Sequence, residues 1–531
     1  MPDGKKGRTD VRKRDRLEEN GSRRVSFPFS SVSPSFALHG TEDVYRIESV
    51  NSSKRMQSMF PKRNRPHACA SSFPSGWRDT LATWRKILSL GLPSLFAFAT
   101  MTLTGTIVLI MIGDLGYLAI AVMGVVNIIM YNVWALFSGI GHTVNYLVAQ
   151  NYGAGDMAKG MQRTQIALLW SIVIAVLVAA FGWAGSETVL RLTGGSEELV
   201  AAGTEFLQLR FYAMSFGIMS FVFHGFFRGV GNTRVSMVVS VVSNAIILTL
   251  CYVWTYGHLG FPALGLIGAG YAFLVGEALQ LVICVLMFWG VMHGQFGTRR
   301  ILRLSWRESG LMARESGKLG LMEFSMSVSM YIFTMFVARL GDHALAANEV
   351  ALNVMSVGFM PAFAFGTTAT ILVGQAVGRG DGLAARRAGT DTAILGALFL
   401  FLLGTAELIF AGPIARIYTD DPAVYELAAF LISISAYLQI FDGLFNFYAG
   451  GLRGIGDTSF LMKVSLLLNF AYFVPVTWLF VQVLGWGSIG AWVALYTYVT
   501  LLGTAVTVRY YRNDWSAVRI REARPAEGAR H

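Results

Sequence analysis

The sequence has 531 residues, of which 54% are hydrophobic and 14% are charged, and its formal net charge is +11. Soluble domains carry about 25% charged residues, so this composition is typical of a membrane protein and argues against a soluble enzyme. The basic residues lie in an N-terminal tail and in short loops between apolar segments, a distribution that does not indicate a nucleic-acid partner.

The first 77 residues form a basic segment with runs such as Lys5-Lys6 and Arg12-Lys13-Arg14. This segment is too polar to bury a core and is predicted to be a disordered cytoplasmic tail. It lacks the apolar stretch of a signal peptide, so neither cleavage nor export is expected. Cys69, Cys251 and Cys284 are widely spaced, which predicts neither a disulfide framework nor a metal site. No cofactor is expected.

Twelve apolar segments follow, each long enough to cross a hydrocarbon core of roughly 30 Å. They lie near 87–112, 117–150, 163–183, 199–227, 233–256 and 263–291, and near 317–339, 343–375, 390–411, 424–451, 459–483 and 488–510. The pattern predicts an all-α membrane protein with two six-helix lobes. The predicted parts are an N-terminal lobe at 78–292, a cytoplasmic linker at 293–316, a C-terminal lobe at 317–511 and a cytoplasmic tail at 512–531.

Basic residues are concentrated in alternate loops. They are Lys159, Arg163, Arg228, Arg234, Arg299, Arg300, Arg303, Arg307, Arg314, Arg379, Arg386 and Arg387. Because cytoplasmic loops carry an excess of Lys and Arg, both termini are predicted to be cytoplasmic in a multi-pass plasma-membrane protein. Arg228 and Arg453 are interpreted as anchors at the inner surface, and Arg210 as a residue near the outer one.

The two halves of the sequence resemble each other at a constant separation of 225 residues. The recurring elements are Leu115-Gly116 with Leu340-Gly341, Gln150 to Asp156 with Gln375 to Asp381, Arg228 to Thr233 with Arg453 to Thr458, and Asn244 with Asn469. Each unit has an even number of spans, so both copies have the same orientation and substrate is expected at the midplane between them. The glycines are predicted to form helix ends and turns.

These motifs resemble the multidrug and toxic compound extrusion (MATE) family of secondary transporters. The resemblance rests on Gly91-Leu92-Pro93, Val148-Ala149-Gln150 through Asp156, Arg228 through Thr233, and the C-terminal counterparts. It implies twelve helices in two lobes around a central cavity, and export of mostly cationic, amphipathic compounds in exchange for Na⁺ or H⁺.

The sequence departs from the family at three positions. Val108 and Leu248 stand where the proton-coupled branch has Asp, so an N-lobe carboxylate mechanism is not expected. Lys318 replaces the Pro that opens the seventh span in many relatives.

Asp442 is the main candidate for ion coupling. It lies eleven residues before Arg453, which places it roughly 16 Å from the inner end of its helix, near mid-bilayer. A lone carboxylate there takes a proton or holds a cation, including Na⁺. Gln439, Phe445 and Asn446 are expected on the same helical face, with Phe445 as a residue of the substrate cavity. The alternative is a packing acid satisfied by polar neighbours, although Asp442 matches the C-lobe Asp of the family's sodium-coupled branch.

Glu323 shares a helical face with Met326 and Met330, which suits a cavity for varied cations. Alternatively, Glu323 lies near the start of its helix, and Met326 occupies the position of the sodium-coupled branch's seventh-helix Glu. A further candidate is Glu349, which shares a helical face with Asn353 and Ser356. These side chains either tune substrate or ion binding or lie near the surface. Another candidate is Glu277, near the middle of the sixth span. Glu407 is predicted to be solvated near the outer end of the ninth.

The preferred hypothesis is an antiporter that exports organic cations in exchange for Na⁺ or H⁺ by alternating access, acting as a monomer. The alternative is a flippase of the same superfamily for lipid-linked oligosaccharides, which would favour a cationic cavity. The sequence contains no His-Glu-x-x-His or Gly-x-Ser-x-Gly and no Gly-x-x-x-x-Gly-Lys-Ser/Thr, so neither a membrane enzyme nor an ATP-driven pump is predicted.

Overall fold

The structure is a computed structural model that describes residues 77–193, 196–300, 304–418 and 422–522. Nearly all of the predicted basic tail lies outside the described residues. Within them, twelve helices are long and apolar enough to cross a membrane. They are α1 Trp77–Gly113, α2 Tyr117–Ala154, α3 Met157–Leu192, α4 Glu197–Gly229, α5 Thr233–Tyr256, α6 Gly265–Val291, α7 Trp306–Ala338, α8 Asp342–Gly378, α9 Gly382–Tyr418, α10 Pro422–Ile455, α11 Thr458–Val483 and α12 Gly487–Arg512.

The two lobes have the same internal packing. In the N-terminal lobe α4 packs against α2, α3 and α6, and in the C-terminal lobe α10 packs against α8, α9 and α12. Each relationship in the first lobe therefore has a counterpart six helices later, as the sequence repeat predicts. The all-α architecture of two six-helix lobes is confirmed.

The repeated glycines adopt matching backbone conformations. Gly116 and Gly341 both have φ 105°, Gly155 and Gly380 have φ 76° and 77°, and Gly231 and Gly456 have φ 81° and 82°. A side chain disfavours these positive values, so glycine is the residue that allows the tight turns between successive helices. The prediction that these motifs form helix ends and turns is confirmed.

The seventh helix begins earlier than the sequence suggests. α7 starts at Trp306, so 306–316 of the expected linker is helical, with Glu308 in the first turn where an acid favours the helix dipole. Glu323 consequently lies near the middle of α7 and not near its start. At the other end of the chain, Trp515 is 5% exposed and donates from Nε1 to the carbonyl of Tyr510 at 3.1 Å, so part of the expected tail packs on the bundle.

The lobes pack closely at the end of the bundle where α1 begins and α12 ends, called here the basic end. Gln150 of α2 donates from Nε2 to the carbonyl of Gly454 at 2.8 Å, and Gln375 of α8 donates from Nε2 to the carbonyl of Gly229 at 3.2 Å. Two glycines permit this approach of the helices. A Cβ on Gly153 would lie 2.1 Å from the Gln375 carbonyl oxygen, and one on Gly378 would lie 2.0 Å from that of Gln150.

Candidate functional site

Two carboxylates from different helices of the C-terminal lobe, Asp442 of α10 and Glu323 of α7, lie within electrostatic range of each other. Both side chains are half-buried. Asn446, one turn after Asp442, donates from Nδ2 to its Oδ2 at 3.2 Å. The structure therefore brings together three residues that the sequence singled out on two separate helices.

One tyrosine from each lobe lies within electrostatic range of this carboxylate pair. Tyr131 of α2 and Tyr498 of α12 each interact electrostatically with Asp442 and with Glu323. The buried hydroxyl of Tyr498 has no hydrogen-bond partner among the described residues. Since Tyr131 belongs to the N-terminal lobe, the carboxylates face the boundary between the lobes.

The donor set at this site contains oxygen and amide groups only. The described residues hold no cluster of three or more His, Cys, Asp or Glu side chains that would bind a transition metal. Carboxylate, amide and hydroxyl oxygens suit a hard cation or a proton. Asp442, Asn446 and Tyr498 are therefore chemically compatible with Na⁺ as a transported ion.

A polar seam fixes α7, the helix that carries Glu323. Asn469 of α11 donates from Nδ2 to Ser325 Oγ at 2.9 Å and accepts from Ser329 Oγ at 3.1 Å. Ser327, on the other side of α7, donates to Asn132 Oδ1 of α2 at 2.9 Å. This seam was not predicted, although the alternating serines of α7 and the repeated Asn469 are apparent in the sequence.

The repeated arginines lie inside the bundle, so their interpretation as surface anchors is wrong. Arg228 and Arg453 are each 5% exposed, because their side chains turn from the helix ends toward the lobe boundary. The Arg228 guanidinium lies 4.8 Å from the ring centroid of Phe98, a cation–π arrangement. Arg453 interacts electrostatically with Glu323 and with His142.

The expected cavity residues separate into two groups. Met326 and Met330, on the helix of Glu323, are partly buried and pack against the hydrophobic core. Phe445 is 2% exposed, and its backbone lies against Gly503 of α12. Its assignment as a cavity residue is wrong because α10 directs that side of the helix into the C-terminal lobe.

Gln439 and Glu407 form an interaction that the sequence did not predict. Gln439 is 2% exposed and donates from Nε2 to Glu407 Oε2, so its side chain is directed toward α9. Glu407 is 4% exposed, and its expected solvated position is wrong because α9 presents it to α10 and not to solvent.

The remaining acidic candidates do not join the carboxylate pair. Glu349 and Asn353 are exposed on α8, where the Asn353 amide donates to the Glu349 carbonyl at 3.0 Å. Glu277 of α6 interacts with Arg210 of α4 inside the N-terminal lobe, and the Arg210 guanidinium lies 3.7 Å from the Phe273 ring centroid. Arg210 is therefore an interior residue, contrary to its expected position near the outer surface.

A charged network that was not predicted joins the lobes at the basic end. Arg163 of α3 is fully buried; its Nε donates to Glu308 Oε2 of α7 at 2.8 Å and its Nη2 donates to the Arg521 carbonyl at 2.7 Å. The backbone N–H of Arg521 donates in turn to Gln150 Oε1 at 2.9 Å. Residues after α12 thus contact the N-terminal lobe directly.

Glu315 is the centre of the same network on α7. It is fully buried, accepts from Lys318 Nζ at 2.6 Å and from Arg521 Nη2 at 3.3 Å, and also accepts from the Thr458 hydroxyl. The structure pairs Lys318, one of the three departures noted in the sequence, with Glu315. The pair has the three-residue spacing that favours contact along a helix.

The chain has two six-helix lobes related by a repeat, and ionisable side chains of its membrane-spanning helices lie at the lobe boundary. These features define a polytopic membrane transporter. The MatE family model matches residues 93–253 and 319–479, which is one match in each lobe and more than half of the chain. The chain therefore belongs to the MATE family, whose members are transporters and not enzymes.

Individual relatives and structures agree with this assignment. The chain is 28% identical over 440 residues to the probable multidrug resistance protein NorM of Rhizobium meliloti, covering 81% of this chain and 93% of that protein. It is 27% identical over 401 residues to the multidrug resistance protein PmpM of Pseudomonas aeruginosa, covering 74% and 83%. A solved structure of the Vibrio cholerae MATE transporter VcmN, in a mutant form, superposes with a TM-score of 0.76 at 18% identity, covering 82% of this chain and 98% of that one.

Proposed function

We propose that this protein is an antiporter that exports organic cations across the plasma membrane in exchange for Na⁺ or H⁺. The observation that carries the proposal is the proximity of Asp442 and Glu323 at the lobe boundary. Arg453 offsets the charge of Glu323, whereas Asp442 lies within electrostatic range of Glu323 in a partly buried site, an arrangement that favours binding of a cation or a proton at Asp442. An organic cation and a coupling ion would compete for this negative charge, which is the basis of exchange.

The names of the relatives support small-molecule cargo. NorM of R. meliloti and PmpM of P. aeruginosa are described as multidrug resistance proteins. The partly buried Met326 and Met330 beside Glu323 add adaptable apolar surface, which favours binding of cations of varied shape.

The basic end is proposed to face the cytoplasm, with both termini on that side and the protein working as a monomer. Its loops and helix ends contain Lys159, Arg299, Arg300, Arg379 and Arg387, as expected for a cytoplasmic side. Because the lobes are hydrogen-bonded together at this end, the described conformation would be closed toward the cytoplasm. Export by alternating access then requires the bonds of Gln150 and Gln375 across the lobes to break.

Efflux from vesicles tests the proposal. Purified protein is reconstituted with a fluorescent organic cation such as ethidium inside, and a Na⁺ gradient or a pH gradient is imposed in turn. Efflux driven by one gradient would support the antiporter and identify its ion. No efflux under either gradient, with correct insertion shown by protease accessibility of the basic end, would contradict it.

A further inference from the structure

Glu407 and Gln439 form a buried polar pair in the C-terminal lobe, separate from the Asp442–Glu323 site. Glu407 comes from α9 and Gln439 from α10, and the two side chains are 4% and 2% exposed. A Cβ on Gly358 of α8 would collide with the Gln439 Oε1, so α8 closes the third side. The pair is enclosed by three helices of one lobe.

The hydrogen bonding of this pair is incomplete. Gln439 Nε2 donates to Glu407 Oε2, but Glu407 Oε1 and Gln439 Oε1 are both buried and have no partner among the described residues. Both atoms are acceptors in the ionised state of the carboxylate. Leaving two acceptors without a donor in a membrane interior is costly, so the arrangement lacks a positively charged or donating species.

A single proton satisfies both oxygens. A carboxylic acid and a primary amide have equal spacing between their two polar atoms, so they can form a ring of two hydrogen bonds. Gln439 Nε2 donates to Glu407 Oε2 already, and a proton on Glu407 Oε1 would donate to Gln439 Oε1. A metal ion fits less well, because hard cations are surrounded by about six or more oxygen ligands and this pair offers two free ones.

Glu407 has no ion-pair partner among the described residues, and Gln439 is the polar side chain that contacts it. On α10 the neighbouring titratable groups are Asp442, one turn from Gln439, and Tyr437, whose ring stacks on Phe401 at 5.9 Å. On α8 Glu349 is exposed, and the charged residues of α1 all lie in its first ten positions.

The repeat shows that the fold does not require this pair. The positions that correspond to Glu407 and Gln439 in the N-terminal lobe are Gly182 and Met214. Gly182 packs directly on Phe211, where a Cβ would lie 2.3 Å from the Phe211 Cβ. The same helix crossing is thus filled by apolar contacts in one lobe and by a carboxyl–amide pair in the other.

We infer that Glu407 and Gln439 form an exchangeable proton site whose proton binds the two side chains together, and that releasing the proton frees Gln439 next to Asp442. Gln439 and Asp442 are three residues apart on α10, so breaking the pair alters the turn that carries the coupling carboxylate. This inference rests on the proposed antiport for its role, although the proton site itself is measurable without transport.

Infrared spectroscopy of the reconstituted protein tests the site directly. The carbonyl stretch of protonated carboxyl groups is followed from acidic to alkaline pH in wild type, in Glu407→Gln and in Glu349→Gln. We expect wild type and Glu349→Gln to share a titrating band that Glu407→Gln lacks, unchanged by Na⁺. The Glu407→Gln variant retains an amide that can pair with Gln439, so it is expected to fold.

Transport supplies the second readout. Ion-driven efflux by Glu407→Gln should lose the pH dependence that wild type and Glu349→Gln show across the range in which the Glu407 band titrates. A band missing in Glu407→Gln but unmoved by pH in wild type would reveal a permanent structural proton and overturn the inference. Identical spectra of wild type and Glu407→Gln would overturn it as well. If wild type shows no efflux under any gradient, the antiport proposal fails and the spectra alone decide the proton site.

Discussion

Gln150 and Gln375 make the same hydrogen bond in opposite directions across the boundary between the lobes. Each donates its side-chain amide to a glycine carbonyl at the end of a helix in the other lobe, Gly454 and Gly229 respectively. The four residues occupy equivalent positions in the repeat. The closed basic end is therefore held by two related contacts, and an opening motion must break both.

Replacing these glutamines should weaken closure unequally. Gln150→Leu removes two bonds, because Gln150 Oε1 also accepts from the Arg521 N–H, whereas Gln375→Leu removes one. At about 1 kcal/mol for each lost bond, Gln150→Leu is expected to favour the open state roughly twice as strongly in free energy. Distances between spin labels on the two lobes at the basic end measure this population. Equal shifts in the two variants would contradict the role of Arg521.

The small size of Gly153 and Gly378 should be essential for closure. Alanine at either position would place a Cβ about 2 Å from a backbone oxygen of the opposite lobe, and backbone cannot yield as a side chain can. Gly153→Ala is expected to hold the basic end apart and to reduce efflux. Gly124→Ala is the matched control, since it lies in the same helix with no atom within 4 Å of the added Cβ. Chemical labelling of a cysteine placed at the α2–α8 crossing reports the opening. Equal labelling of Gly153→Ala and Gly124→Ala would exclude the steric explanation.

Asp442→Asn should abolish coupling without unfolding the protein. The amide retains the shape and the contact with Asn446 but carries no exchangeable charge. Ion-driven efflux is expected to fall about tenfold or more, within the range of typical coupling energies. Glu349→Gln is the control because Glu349 is exposed and apart from the pair. Wild-type efflux by Asp442→Asn in a folded, inserted preparation would remove this residue from the mechanism.

Glu315→Ala should destabilise the protein more than any exposed acid does. It leaves Lys318 buried without its partner, and removal of one member of a buried ion pair costs about 3–5 kcal/mol. The double variant with Lys318→Ala also removes the uncompensated amine and should recover part of the loss. Thermal unfolding of the purified variants measures these effects, with exposed Glu205→Ala as the reference. A melting temperature of Glu315→Ala equal to that of Glu205→Ala would show that the network carries no stability.

Local sequence patterns predicted the membrane-spanning helices and the turns between them. Apolar segments indicated the spans, and the repeat anticipated the matching φ values of Gly116 and Gly341 because a turn is determined within a few residues. Distance along the chain also placed Asp442 well inside α10. It did not give the rotation of the helix, which turns Gln439 toward Glu407 and Phe445 into the core.

Contacts between distant parts of the chain could not be predicted from local sequence patterns. Arg521 meets Glu315 across 206 residues and Gln150 across 371 residues. Neither spacing leaves a periodic signal in the sequence. The start of α7 at Trp306 was missed for a related reason, since a charged helix that extends past the apolar segment looks like a loop in hydropathy alone.

The position of Arg521 imposes an order on biosynthesis. The chain is made from the N-terminus, so α2 and α3 are inserted in the bilayer long before Arg521 leaves the ribosome. Gln150 Oε1 and Arg163 Nη2 therefore lack their Arg521 partner until every helix has been translated. An unfinished chain can form the contacts of Gln375 and Glu308 between the lobes, but it lacks the contacts that Arg521 adds to them.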